Sequence, residues 1–250
     1  MSLSLQFISQ VPKLQALRLP TRYYHFSATE DYVKLLNIGE GIFPGDRVNL
    51  AVRLQKSRCI LTTESATKVY PSRGGYGINR FDFRLEEHSE LECINDELIL
   101  FKAAKYLQLL TFSVDGGSYF FYVDILSNGR SFEHFDFTAM QVRNRFFIEG
   151  ELEYFEQFNV AGTALQSYQQ RRGSRRHLHA KIYVKSRNNT ALEARLRAEG
   201  FTGFTFSHTG KMLVGTLVDD NMAALKASVK RAWTCYRALH GRQAFNLGKQ

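Results

Sequence analysis

The 250 residues are 44% hydrophobic and 13% aromatic, with 20 Phe and 12 Tyr, enough apolar mass for a sizeable core and too much for a disordered chain. A formal charge of +9 points to phosphate or an acidic protein surface as a partner, and three cysteines without paired spacing exclude a disulfide framework or a Cys-rich zinc site. No stretch reaches the roughly 18 uninterrupted apolar residues of a membrane helix, and the first residues do not read as a leader, so a cytoplasmic protein is expected.

In chain order, the first strong signal is the turn Gly41 to Asp46, whose glycines permit unusual dihedrals. The Asp46 carboxylate is either aimed in a fixed direction for function or accepts hydrogen bonds from its own turn. Val48, Leu50, Val52 and Leu54 then alternate with polar residues, which is the period of a half-buried strand. Leu61 to Tyr70 follows, with Thr62 and Thr63 in a β-branched setting and Lys68 and Tyr70 further along, suiting a binding surface better than nucleophilic chemistry. Phe81, Phe83 and Leu85 alternate in the same way, and Leu91 to Phe101 is an apolar strand entered by Glu92, a carboxylate that must find a donor or a cation.

Further strands are expected at 107–114, 119–126, 131–137, 143–148, 151–158, 178–185, 201–207 and 212–218. Turn signals separate several of them, as in Ser72-Arg73-Gly74-Gly75, Asp115-Gly116-Gly117 and Ser127-Asn128-Gly129. Many short strands with no alternating helices predict a mainly β fold, a sandwich, barrel or coiled β-structure, whose body over residues 1–188 is expected to be all-β. Residues 189–250 are expected to mix strands with one or two C-terminal α-helices in the same domain.

Thr190 and Glu193 form a capping-box pattern closed by Gly200. Asp219 and Asp220 could cap a longer helix with a stripe of Met222, Leu225, Val229, Trp233, Tyr236 and Leu239. Lys226, Lys230 and Arg237 are expected on its outside, making them and Trp233 candidates for partner binding.

Catalytic motifs are missing: no phosphate-binding loop, dinucleotide fingerprint, nucleophile elbow or His-Glu-x-x-His pair occurs. His177 and His179 share a strand face and could ligate a metal, although their arginine neighbours would repel a cation. Cys59 and Cys93 read as core residues. Arg171, Arg172, Arg175, Arg176, Lys181, Lys185 and Arg187 form a basic block that would meet phosphate or stand as a solvated face.

Together these blocks resemble the urease accessory proteins of the UreD/UreH family. The likeness runs from Gly39 to Phe101, carried by Glu40-Gly41-Ile42-Phe43-Pro44-Gly45-Asp46 and Thr62-Thr63-Glu64-Ser65-Ala66-Thr67-Lys68-Val69-Tyr70, with echoes at Asn128-Gly129-Arg130 and Leu239-His240-Gly241-Arg242. It implies a helical β-structure with C-terminal helices and no catalysis of its own, a scaffold joining urease apoprotein to UreF-like and UreG-like proteins. It also implies transient nickel in the interior, with no tightly bound cofactor and no assigned metal ligands. Asp46, Thr63, Lys68, Tyr70, Glu92 and Arg130 are the residues it would place along the nickel passage or in its architecture. Departures occur at His134-Phe135, where the family carries Gly-Glu, and at Cys93, Asn95-Asp96 and Phe245 to Gly248.

Two other readings compete. The charge and interleaved aromatics fit a nucleic-acid-binding β domain, and a hydrolase would need Asp46 and Glu92 as a facing carboxylate pair.

Overall fold

The computed structural model describes residues 2–19, 21–37, 40–173 and 177–248, so Gly39, Arg175 and Arg176 lie outside it. The strands are β1 (Ser2–Ile8), β2 (Val11–Arg18), β3 (Thr21–Phe26), β4 (Tyr32–Asn37), β5 (Arg47–Gln55), β6 (Arg58–Thr63), β7 (Thr67–Val69) and β8 (Gly77–Glu86). They continue with β9 (Glu90–Leu100), β10 (Lys105–Val114), β11 (Tyr119–Leu126), β12 (Ala139–Ile148) and β13 (Glu151–Val160). After helix α1 (Gly162–Arg172) come β14 (Leu178–Lys185), α2 (Asn189–Ala198), β15 (Phe204–Phe206), β16 (Leu213–Asp219) and α3 (Met222–Leu239).

Two sheets face each other, and the chain alternates between them. One sheet runs β13-β12-β10-β8-β5-β1-β2 and the other β15-β16-β14-β11-β9-β6-β4-β3, with β7 also on β9. The pairs β5/β8, β8/β10 and β10/β12 are parallel, as are β6/β9 and β9/β11. Parallel neighbours need a crossover, usually a helix. Here a strand of the opposite sheet supplies it, so each coil adds one strand to each layer and the expected coiled β-structure results. Antiparallel pairs close the stack, β1/β2 and β3/β4 at one end and β12/β13, β11/β14 and β14/β16 at the other.

Alternation in the sequence becomes a two-faced sheet. In β5 the buried Leu50, Val52 and Leu54 point between the layers, joined by Phe83, Leu85, Phe112, Phe120 and Phe146. Phe112 lies 4.7 Å from Phe83 and 4.6 Å from Phe120, and Phe146 stacks on Tyr183 at 4.7 Å, so an aromatic column joins the sheets. A second apolar cluster sits outside the second sheet, where Leu225, Val229, Trp233 and Tyr236 bring α3 onto β11, β14 and β16, and Leu192 and Leu196 bring α2 against α3 and β15.

Several local expectations change. Residues 131–137 form turns instead of a strand, and α1 interrupts the supposedly all-β body. The strand near 201–207 shortens to Phe204–Phe206. The cap of α2 is Asn188, whose side chain accepts from Ala191 N at 2.9 Å, in place of Thr190. Asn221 likewise caps α3 through Ala224 N at 3.0 Å, in place of Asp219 or Asp220. Asparagine wins both sites because the strand-to-helix turn delivers its carbonyl oxygen to the third amide onward, the geometry any good N-cap needs.

Candidate functional site

The signature blocks meet at one corner of the coil. Ile42 N donates to Lys68 O at 2.8 Å and Tyr70 N donates to Ile42 O at 2.9 Å, tying the glycine turn to β7. Gly41 is required there, since its φ is +150° and a Cβ would lie 2.5 Å from Lys68 O. Tyr70 stacks on Phe43 at 4.5 Å, Phe101 meets Tyr70 edge-on at 5.0 Å, and the Arg130 guanidinium sits 4.3 Å above Phe101. Asp46 accepts from Phe43 N at 2.9 Å, so its carboxylate holds its own turn. Lys68 is exposed, and Arg130 is paired with Glu133 at 2.5 Å.

Thr63 belongs to a different place, a cavity of about 590 Å³ between the sheets that extends from Leu35, Thr63 and Thr67 to Glu156, His179 and Thr216. Its walls are mostly aliphatic and aromatic, with polar groups dispersed along them. Asp124 is the central one. It accepts from Tyr122 OH at 2.6 Å and from Gln108 Nε2 at 2.7 Å, and no ion pair reaches it among the described residues. Burial pushes its carboxyl up to about 6 against the pull of those donors. Tyr106 donates to Gln108 Oε1 at 3.1 Å, Asn144 donates to Tyr183 OH at 3.0 Å, and Tyr183 donates to Glu156, which also pairs with Lys181 at 2.8 Å. At the opposite end Thr63 Oγ1 accepts from Asp96 N at 2.8 Å, and Asp96 pairs with Lys226 at 3.2 Å. Gln108 and Asp124 carry no signal in the sequence, and Asn95 stands out there only as a departure from the family pattern, because inward-facing polar residues in a strand look like any break in apolar alternation.

Glu92 lies on the other face of the second sheet, 1% exposed beneath α3. Arg237 Nη1 donates to both its oxygens at 2.8 and 2.7 Å, Arg242 Nη1 donates at 2.6 Å and the Trp233 indole donates as well. Glu90 beside it accepts from Tyr236 OH at 2.8 Å and pairs with Arg242, with His240 Nδ1 at 3.3 Å. Burial would raise the Glu90 carboxyl, but His240 and Arg242 outweigh it and hold the pKa at about 2. The same burial opposes Arg237 and Arg242 at Glu92 and pushes that carboxyl up. These residues form an ionic latch that fastens the C-terminal helix.

Two expectations about α3 are therefore corrected. Trp233 and Arg237 are each 1% exposed and serve the latch, so neither faces a partner. The sequence periodicity put Arg237 outside because a helical arginine normally seeks water; here Glu92 and Glu30 draw it inward. Lys226 is committed to Asp96 and Glu97, which leaves Lys230 exposed.

The competing sites do not assemble. Asp46 is absent from the lining of the small polar cleft, about 320 Å³, that reaches Glu92, so the carboxylate pair of a hydrolase is not formed. His179 lines the large cavity and burial lowers its pKa, while His177 faces His134 with rings 5.7 Å apart. Among the described residues no group of three His, Cys, Asp or Glu side chains is poised to hold a metal. Cys59 and Cys93 are core residues. Of the basic block, Lys181 turns to Glu156, and Lys185 is buried, donating to Gly116 O at 2.8 Å and Ser118 O at 2.6 Å, while Arg175 and Arg176 lie outside the described residues. No helix among the described residues is long and apolar enough to cross a membrane.

Comparison with known proteins gives one consistent result. Residues 9–247 match the family described as UreD urease accessory protein. The chain is 46% identical over 250 residues, the full length of both proteins, to the urease accessory protein UreD of Aliarcobacter butzleri (strain RM4018). It is 30% identical over 145 residues to that of Staphylococcus aureus (strain JH9), covering 57% of this chain and 52% of the relative.

Proposed function

Because the chain belongs to the UreD urease accessory protein family, we propose that it is a non-catalytic scaffold that binds urease apoprotein and UreF-like and UreG-like proteins in the cytoplasm and assists nickel delivery. The observation that carries this reading is the cavity between the sheets. Its oxygen donors are spread along the wall, as a passage requires if each ion is to be held weakly enough to move on. Asp124 is a buried carboxylate with no cationic partner among the described residues, a charge that a divalent cargo would complement. Asp96 and Glu156 stand toward the two ends of the same cavity, each already steadied by a lysine. Nickel here is cargo, and the side chains supply transient ligands with no bond made or broken.

By this reading Thr63 belongs to the passage, Glu92 to the architecture, and Asp46, Lys68, Tyr70 and Arg130 to the corner formed by the signature blocks. That corner shapes the coil near the Thr67 end of the cavity. The test is association: the purified protein should capture cognate apo-urease and a UreF-like partner in one complex. Capture of neither would end the proposal. The nucleic-acid reading gains nothing from Lys181 and Lys185, which are turned to partners within the chain, and a labelled single strand should show no shift at low salt.

A further inference from the structure

The two sheets differ in what covers them. The second sheet is sandwiched between the shared core and α2 and α3. The outward positions of β5, β8, β10 and β12 in the first sheet remain partly or fully open to water. Parallel sheets are ordinarily covered on both faces. An open parallel sheet is therefore a surface with something left to bury.

Its chemistry is specific. The register places Leu109 between Arg80 and Arg143, and Thr111 between Asp82 and Arg145. Arg47, Arg53 and Arg84 face the same way, so six arginines share the sheet face with Asp82 and Glu86. Glu86 neutralises Arg53 and Arg84 at 2.8 and 2.7 Å. Arg143 donates to Gln157 at 3.2 Å, and no ion pair reaches Arg80, Arg143 or Arg145 among the described residues. Leu107, Leu109 and Phe147 lie partly exposed among these cations. Two grooves, of about 540 and 410 Å³, flank the face along Arg84 and Phe147 and along Gln6, Arg53 and Asp82.

We infer that the outer face of the first sheet is a docking surface for a partner protein that presents carboxylates around an apolar centre. Four strands about 4.8 Å apart and roughly 30 Å long offer a face of about 600 Å², approaching the share of about 800 Å² that one partner contributes to a standard interface. Charge complementarity selects the occupant: carboxylates opposite Arg80, Arg143 and Arg145 would gain bidentate bonds that these guanidiniums lack. Asp82 in the middle and the apolar strip beside it disfavour a polyphosphate backbone, which offers neither a cation nor a greasy contact. A second copy of this chain would set arginine against arginine and is disfavoured by the same charges.

The inference rests on the accessory reading for its probes, which are purified cognate apo-urease and a purified UreF-like protein. The full-length variant carrying Arg80→Glu and Arg145→Glu should melt like the wild type, because both side chains are exposed, and should bind one of the two probes at least about tenfold more weakly. A control carrying Arg195→Glu and Ala198→Glu, both exposed on the helical face, should bind that probe as the wild type does. In the complex, Arg80, Arg143 and Arg145 should be protected from a guanidine-modifying dicarbonyl reagent. Undiminished binding with no protection overturns the inference while leaving the accessory reading intact, as does loss confined to the helical-face control. Affinity for single-stranded nucleic acid or self-association that vanishes with Arg80→Glu and Arg145→Glu, with the two probes still bound, also overturns it. Failure of the wild type to bind either probe sinks both proposals together.

Discussion

Glu92 and Asp46 look alike as lone carboxylates near glycines and apolar strands, yet their surroundings give them opposite weights. Glu92 balances Arg237 and Arg242 in a space sealed by Trp233. Glu92→Gln removes one of the two carboxylates that each of Arg237 and Arg242 engages and should cost about 3–5 kcal/mol in urea unfolding, with urease maturation falling only in step with the folded fraction. A normal melt with lost delivery would instead place Glu92 in the passage. Asp46→Ala removes one turn hydrogen bond at the surface, worth about 1 kcal/mol, and should lower stability and urease activation together. Loss of activation alone would assign the carboxylate a direct task.

Glu90 carries a pH signature. Its pKa is about 2 in the folded protein against an ordinary 4.5, so the folded state binds the proton less readily than the unfolded chain. The resulting stabilisation is complete above about pH 4.5 and is lost as pH falls toward 2, on the order of 3 kcal/mol over that window. Glu90→Gln should flatten that limb of the stability profile. A variant that keeps the wild-type slope would show that other groups set the acid transition.

At the level of elements, the helix starts offer a sharp comparison. Asn188→Ala should destabilise by about 1 kcal/mol while Thr190→Ala stays near neutral, because Asn188 holds the capping bond to Ala191. Thermal melts of the two variants decide it, and a larger loss from Thr190→Ala would restore the capping-box reading. Much of the element structure was legible in the sequence. The alternation in β5 and β8 and the stripe of α3 report periodicities that burial enforces, and both survive in the fold. Turns such as Asp115-Gly116-Gly117 were also legible, but a turn signal does not tell a hairpin from an arch. Here that turn carries the chain from β10 in one sheet to β11 in the other. The helix α1 was hidden because Gln166, Gln169 and Gln170 give it no apolar stripe, and the edge strand β2 was hidden because its side chains are exposed on both faces. The latch was half visible: Glu92 demanded a partner, but 145 residues separate it from Arg237.

At the level of the whole molecule, coiling sets two polar systems on opposite faces of one sheet. The latch lies outside β9 and the cavity network lies inside it, so a single strand carries both Glu92 and Asn95. The bulge where β9 meets β11, between Val123 and Ile125, lies beside Asp124 and Asn95. A bulge of this kind re-aims the side chains of the strand that carries the extra residue, here Asn95 and Asp96 of β9, while Asp124 keeps the inward phase of Phe120 and Tyr122 in β11. The molecule accepts the cost of that buried charge. Asp124 has a pKa of about 6 against an ordinary 3.8, so the folded state holds its proton more tightly and folding stability declines as pH rises from about 3.8 to 6. Removing the charge should therefore leave the protein as stable as before or more so at pH 7, by up to about 3 kcal/mol.

That opposition between stability and task makes Asp124 the most direct test of an interior passage. Urease would be matured in cells with the wild-type chain or with Asp124→Asn, and the nickel bound per urease active site measured alongside the melting temperature of the variant. The passage account expects nickel content to fall about tenfold with the melting temperature held or raised, because the variant keeps its fold and loses the charge that receives the ion. Full nickel loading by the stable variant would contradict it.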